Sequence, residues 1–300
     1  MKKIHGPLAF VALLTPSLWA FGATLPVNPG PVRTVGEMSA ALKNQRPAVA
    51  MNGNRRLNAI AADFPSYALL IPGAGNLPGS NGTYFRSDVV FANYLNVDQI
   101  VAVAWLAEGQ DNSAATFQYL TIPAQRVVSF DDFVGQTLQK QGLGAVEILA
   151  VDSSHRLDAN AYFDAYSRIW TYQPGGQGTT SLQLPAVSLA FGDLVDNPPA
   201  FALGMKQTAQ YHANVGIVNL DLIAHTWTVS VNGQSASTTF PVTVPANSLQ
   251  QVGIPAGDFG DLWLGFQLSD GTLTDFSWSA YGVTEDNVTG DGWAAHAIQP

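Results

Sequence analysis

The chain has no cysteine, only 12% charged residues, a single Lys or Arg after position 184 and no apolar run long enough to cross a bilayer. Without cysteine there are no disulfides, no thiolate-ligated zinc or iron–sulfur cluster, no thiol nucleophile and no lipidated cysteine. Charge at half the usual ~25% excludes a coiled coil and a charge-driven disordered chain. The longest apolar stretch, Leu8 to Phe21, covers 14 residues, short of the ~20 that a span requires. What is present is 47% hydrophobic residues with 28 Gly and 18 Pro in a 300-residue chain. Short apolar runs between frequent turn residues predict an all-β protein.

The first residues read as a targeting segment. Lys2 and Lys3 precede the Leu8 to Phe21 run, and Ala20 and Gly22 place small residues at minus three and minus one of a cleavage point after Gly22. That pattern predicts a signal peptide over 1–22 and an exported chain, in the periplasm, at the cell surface or secreted. Loss of Lys2 and Lys3 leaves 11 basic residues against 22 acids, moving the net charge from −9 to −11. No Lys/Arg cluster tracks a phosphate backbone, so nucleic acid is not an expected partner, and neither is a membrane span after cleavage.

Residues 23–65 read as a leader in which Pro26, Pro29 and Pro31 keep the chain extended. Thr34 and Glu37 form a capping box that predicts a short helix over about 35–43. From residue 66 onward, strand-like runs alternate with Gly, Pro, Asn and Asp at the spacing of a β-sandwich.

The second half repeats the first. Asn93 corresponds to Asn219 at an offset of 126, Thr121 to Ala124 to Thr243 to Ala246 at 122, Ala145 to Ala150 to Leu264 to Ser269 at 119, and Ala165-Tyr166 to Ala280-Tyr281 at 115. Four collinear matches with a shrinking offset predict a duplicated sandwich, 66–180 and 181–300. The expected fold is therefore two tandem Ig-like antiparallel β-sandwiches after a signal peptide and a partly helical leader. Alternation assigns Phe163, Trp227, Leu262, Leu264, Phe266 and Trp278 to cores. It turns Tyr162, Tyr166, Trp263 and Tyr281 outward, into solvent or into a contact between the sandwiches.

Catalytic constellations are sparse. There is no Gly-x-Ser-x-Gly elbow, Ser153-Ser154-His155 reads as a polar turn, and His212, His225 and His296 lack ligand spacing. Loop acids such as Asp258 and Asp261 are available to a carbohydrate-active site, which needs two carboxyls at a set separation. Glu285, Asp286 and Asp291 lie among glycines in an oxygen-rich loop, a weak calcium motif without the EF-hand acid pattern; no other cofactor is expected. The outward aromatics are expected to seal the contact between sandwiches, with stacking on sugar rings as the alternative.

The motifs Glu108-Gly109-Gln110-Asp111-Asn112, Thr121-Ile122-Pro123-Ala124 and Gly142-Leu143-Gly144-Ala145-Val146 resemble a loose group of exported bacterial proteins with repeated Ig-like β-sandwich modules. The resemblance covers about 80–170 well and the second half weakly, where Ser235-Ala236 replaces Asp111-Asn112. It implies fold and export and transfers no site. The expected function is a non-catalytic structural, adhesive or ligand-binding role toward a cell-surface protein or glycan. The alternative is a carbohydrate-binding or carbohydrate-active protein using Trp263, Tyr281 and loop carboxylates.

Overall fold

The computed structural model describes residues 34–45, 66–79, 82–173, 177–189, 199–269 and 277–299. The expected signal peptide and most of the leader lie outside these residues. The described chain is all-β apart from one helix, α1 (Val35–Gln45), and a single turn at Phe133–Thr137.

The first half contributes β1 (Ala68–Pro78), β2 (Tyr84–Asn93), β3 (Gln99–Ala107), β4 (Gln118–Ile122), β5 (Val127–Phe130), β6 (Gly142–Val151), β7 (Phe163–Tyr172), β8 (Thr179–Pro185) and β9 (Val187–Ser188). The second contributes β10 (Ala200–Gln207), β11 (Tyr211–Asn219), β12 (His225–Gly233), β13 (Ser237–Val244), β14 (Ser248–Gly253), β15 (Gly260–Leu268), β16 (Trp278–Asp286) and β17 (Gly292–His296). Sheet I has the order β4-β3-β6-β1, with β9 on the edge of β1, and sheet II the order β5-β2-β7-β8. The last residues of β1 pair with β2 and join the two sheets at one end. Sheet III, β13-β12-β15-β10, and sheet IV, β14-β11-β16-β17, repeat those orders strand for strand. An immunoglobulin sheet sets the first strand beside the second; here the first strand of each half lies beside the sixth, a different order.

The register repeats as closely as the order. Asn93 faces Phe163 and Asn219 faces Trp278. Both first strands carry a bulge at the same place, Ile71/Ala74 and Ala202/Met205. Ala102 faces Leu149 as Thr228 faces Gln267, which fixes the β6–β15 offset at 118 rather than 119. A slip of one residue would turn every side chain to the other face. Val146, Ile148 and Ala150 point into the core of the first half, and their partners at 118 are Leu264, Phe266 and Leu268 in the core of the second. Strand β8 pairs with β7 along its length, so the 180/181 boundary falls inside a strand of sheet II and the change between halves comes after β9.

Three apolar layers hold these sheets. One lies between I and II, around Phe91, Phe133, Ile148 and Phe163, and one between III and IV, around Trp227, Trp278, Leu264 and Phe266. The third joins the halves: Leu70, Ala102, Ala104, Leu106, Ala145 and Leu149 of sheet I meet Val218, Leu249, Tyr281 and Val283 of sheet IV. The layers therefore stack II, I, IV, III. Sheet I is covered on both sides, which is why β1, β3 and β6 are nearly continuous apolar runs.

Helix α1 clips this joint. Its capping box forms, with the Thr34 N–H donating to Glu37 Oε2 (3.3 Å) and the Glu37 N–H to Thr34 Oγ1 (3.2 Å). The free N–H groups of Val35 and Gly36 donate to the carbonyls of Ala115 and Ser113 at 3.0 and 2.9 Å. Val35 and Met38 enter the joint, and Ser39 Oγ donates to Asn247 Oδ1 (2.6 Å) in the second half. Asn112, placed by its sequence in a plain hairpin turn, also crosses over, its Nδ2 donating to the Asn247 carbonyl (2.9 Å).

The repeated Asn performs one task twice. Asn93 Nδ2 donates to the carbonyls of Val97, Ile122 and Pro123, and its Oδ1 accepts the Leu95 N–H. Asn219 Nδ2 donates to those of Ile223, Val244 and Pro245, and its Oδ1 accepts the Asp221 N–H. Each side chain thereby ties its own turn to the end of the hairpin in the facing sheet. Asn219→Ala strands buried carbonyls and should cost about 2 kcal/mol, and Asn93→Ala should cost a similar amount, read as loss of stability in urea. Equal stability of either variant and the parent would show that water replaces the amide.

Candidate functional site

Sheets I and IV cover one another, and among the described residues no further sheet covers the outer faces of II and III. On sheet III alternation sends Leu262, Leu264 and Phe266 inward and Asp261, Trp263, Gly265 and Gln267 outward. The neighbouring strands add Ser230 and Asn232 from β12 and Ser237 and Thr239 from β13. In register, Ser237, Asn232 and Trp263 form one row, and Thr239, Ser230, Gly265 and Phe201 the next.

These rows enclose an open groove of about 460 Å³, walled by Trp263 and Phe201 and edged by Ser230, Asn232, Ser237, Thr238, Thr239 and Gln267. Trp263 is 39% exposed and meets Phe201 edge to face, with centroids 5.5 Å apart. Gly265 makes the floor: a Cβ there would lie 3.2 Å from the Trp263 ring. Among the described residues, no charged side chain lines the groove.

The hydroxyls beside the groove and within it behave differently. Along the same face, Thr226 bonds Thr243 (2.8 Å) and Thr228 bonds Ser269 (2.7 Å). In the groove, the side chains of Ser230, Asn232, Ser237 and Thr239 engage no partner among the described residues.

The other residues singled out by sequence scatter. Tyr281 is 1% exposed in the joint between halves, its hydroxyl donating to Gln251 Oε1 (2.8 Å); burial raises its pKa, with the Glu108 charge adding to the effect. It is closed to any ligand and seals the contact. Tyr162 packs on Tyr94 (5.7 Å), and Tyr166 stands exposed on sheet II, far along the stack from Trp263. Asp258 accepts the Gly260 N–H (3.1 Å). Asp261 pairs with Lys206 (3.3 Å) on the groove's own strand, yet neither acid lines the groove.

The acidic loop forms the β16–β17 turn. Asp286 accepts the N–H groups of Val288 and Thr289 and an amide hydrogen of Gln210, which hold its carboxyl below the usual range. Glu285 turns away to His212 (3.3 Å), and that hydrogen bond raises the imidazole pKa. The Asp291 N–H donates to Thr289 Oγ1. Among the described residues no three His, Cys, Asp or Glu side chains gather to hold a metal ion. Ser154 and His155 belong to a turn organised by Asp152, with His155 stacked on Tyr119 at 3.8 Å. His225 bonds the buried Asp221 (2.9 Å) beside the Asn219 turn.

Sequence reasoning found Trp263 and missed its surroundings. The run Thr226-Thr228-Ser230-Asn232, hydroxyl or amide at every second position of β12, is the signal that marks them. No family model matches this chain, and no curated protein shows significant similarity to it.

Proposed function

We propose that the protein is an exported, non-catalytic binding module, built from one duplicated β-sandwich, and that the groove on sheet III is its binding surface. One observation carries this reading. The sheet I face that holds the two halves together has its positional counterpart in the sheet III face, and there the packing residues are exchanged for a ligand-accessible set. In register, Leu70 corresponds to Phe201, Ala104 to Ser230, Leu106 to Asn232, Ala145 to Trp263 and Leu149 to Gln267. A free face that needed only solubility would carry charge throughout; on this one the Lys206–Asp261 pair lies outside the groove, and the groove keeps two aromatics among neutral hydrogen-bonding groups. Export rests on the Lys2-Lys3 start and the apolar run after it. A cell-surface component, protein or glycan, is the partner class.

A hydrolytic role would require two carboxyls flanking the bound bond. Asp258 and Asp261 are engaged outside the groove, which favours binding alone.

The test places a large cation in the groove. Ser230→Arg in the mature chain should cut retention on bacterial cell-envelope material at least tenfold with an unchanged melting temperature, whereas Tyr166→Arg on sheet II should bind like the parent. Normal retention of the Ser230→Arg protein, or loss only in the Tyr166→Arg protein, would move the binding surface elsewhere.

A further inference from the structure

We infer that the groove takes a neutral saccharide, with a sugar ring stacked on Trp263 and its hydroxyls bonded to the Ser230, Asn232 and Thr239 rim. This rests on the binding-module reading and names its ligand class.

The aromatic wall is the first ground. Trp263 is fixed from the side by Phe201 and from below by the floor at Gly265, and it still exposes 39% of its surface. A large rigid ring offered in this way loses little conformational entropy when a second apolar surface covers it. The C–H face of a pyranose is such a surface.

The polar rim is the second ground. Hydroxyls and carboxamides each donate and accept, and so does every sugar hydroxyl. Among the described residues, serine and threonine hydroxyls from two adjacent strands and the Asn232 amide engage no partner around the aromatic wall, while their neighbours Thr226, Thr228, Thr243 and Ser269 satisfy one another. An apolar ligand would desolvate the rim groups without replacing their hydrogen bonds.

Charge is the third ground. Among the described residues no Lys, Arg, Asp or Glu lines the groove, and Lys206 on this sheet is paired with Asp261. With a formal net charge of −9 on the chain, an anionic polymer finds no counter-charge in the groove. The volume, about 460 Å³, falls within the roughly 300–1,000 Å³ of small-ligand sites.

The experiment titrates the mature protein with neutral oligosaccharides of the cello-, malto-, xylo-, manno- and N-acetylchito- series, and with heparin and polygalacturonate as anionic probes. Tryptophan fluorescence and calorimetry report binding. At least one neutral series should bind and compete with envelope retention. Trp263→Ala should weaken that affinity at least tenfold and Asn232→Ala about threefold, each with an unchanged melting temperature. The inference is overturned if no neutral series binds, if only the anionic probes bind, or if Trp263→Ala binds the sugar as well as the parent. Should Ser230→Arg abolish envelope retention while no neutral sugar binds or competes, the binding module stands and the saccharide assignment falls. If Ser230→Arg retains full envelope binding, both fall together.

Discussion

Glu147→Gln should flatten the fall in stability that the parent protein shows between pH 5 and pH 8. Glu147 lies on β6 in register with Leu70 and Ala104, on the face that sheet I turns to sheet IV, and is 2% exposed. Its Oε2 is buried with no hydrogen-bond partner among the described residues. An ionised carboxylate in that apolar layer would be neither solvated nor paired, so burial pushes its pKa up to about 8. Above the ordinary carboxylate range the unfolded chain has released this proton, while the folded chain keeps it. The unfolded state then binds fewer protons, and stability falls as pH rises until the folded group also ionises near pH 8.

The shift corresponds to on the order of 4 kcal/mol across that window. Glutamine keeps the shape of the protonated acid and cannot ionise. Urea denaturation at pH 5, 6.5 and 8 should give the parent a steep decline and Glu147→Gln a shallow one. The residual slope belongs to groups such as His212, whose raised pKa contributes stability that is lost as pH rises through its folded value, and half-buried Glu108, raised by burial against the lowering effect of its bond from the Gln251 N–H. Asp286, held low, acts only in acid and lies outside the window. Equal slopes for parent and variant would mean that Glu147 is hydrated or paired in solution.

The same residue illustrates what the sequence discloses and what it withholds. Period-two alternation gives the face of Glu147, as it gives the faces of Trp227, Trp278 and Phe266, all buried in the core of the second half. The Thr34/Glu37 box gives α1, and the Asn93/Asn219 match marks a turn that both halves build from the same hydrogen bonds. Alternation states that a side chain leaves the core; it does not state what covers the outer face. Ala102, Ala104 and Leu106 face a second sheet, whereas Thr228, Ser230 and Asn232 at the corresponding positions face solvent. The choice between a joint and a groove is made by stacking, which is tertiary. The offset of 119 for β6 and β15 failed for a related reason. In two apolar strands a one-residue slip still pairs apolar with apolar, and only the ladder shows which register keeps both sets of core residues inside.

Tyr166 and Tyr281 are the sharpest instance of that limit, and they yield the second large effect. They occupy one position of the two halves, facing Val90 and Gly216 respectively, yet Tyr166 is 40% exposed and Tyr281 is 1% exposed. On sheet IV the row runs Tyr281, Gly216, Gln251. The tyrosine ring lies across Gly216, where a Cβ would sit 2.1 Å from Cζ, and its hydroxyl reaches Gln251 Oε1 on the far strand. Flattened in this way, it leaves a surface on which sheet I can rest, and the bulge at Gly73 meets the hydroxyl end of the ring. On sheet II the row runs Tyr166, Val90, Ser129; valine blocks the crossing and the tyrosine stands up.

Gly216→Val installs the residue of the first half in the second. Gly216 is not among the positive-φ glycines of the chain, so its substitution is resisted by the ring above it and not by the backbone. The displaced Tyr281 must rise into the face of sheet I, at an expected cost of about 3 kcal/mol. Tyr281→Ala removes the ring, strands Gln251 and opens a cavity in the joint, at about 3–5 kcal/mol. The two changes should not add. Once the ring is gone the introduced valine side chain has room and fills part of the cavity, so the double variant should be no less stable than Tyr281→Ala alone. In urea, Gly216→Val should also split the unfolding curve into two steps, because each sandwich retains its own core when the joint between them loosens. Simple addition of the two costs, with a single transition throughout, would show that the ring does not lie on Gly216 and that the halves are held together by other contacts.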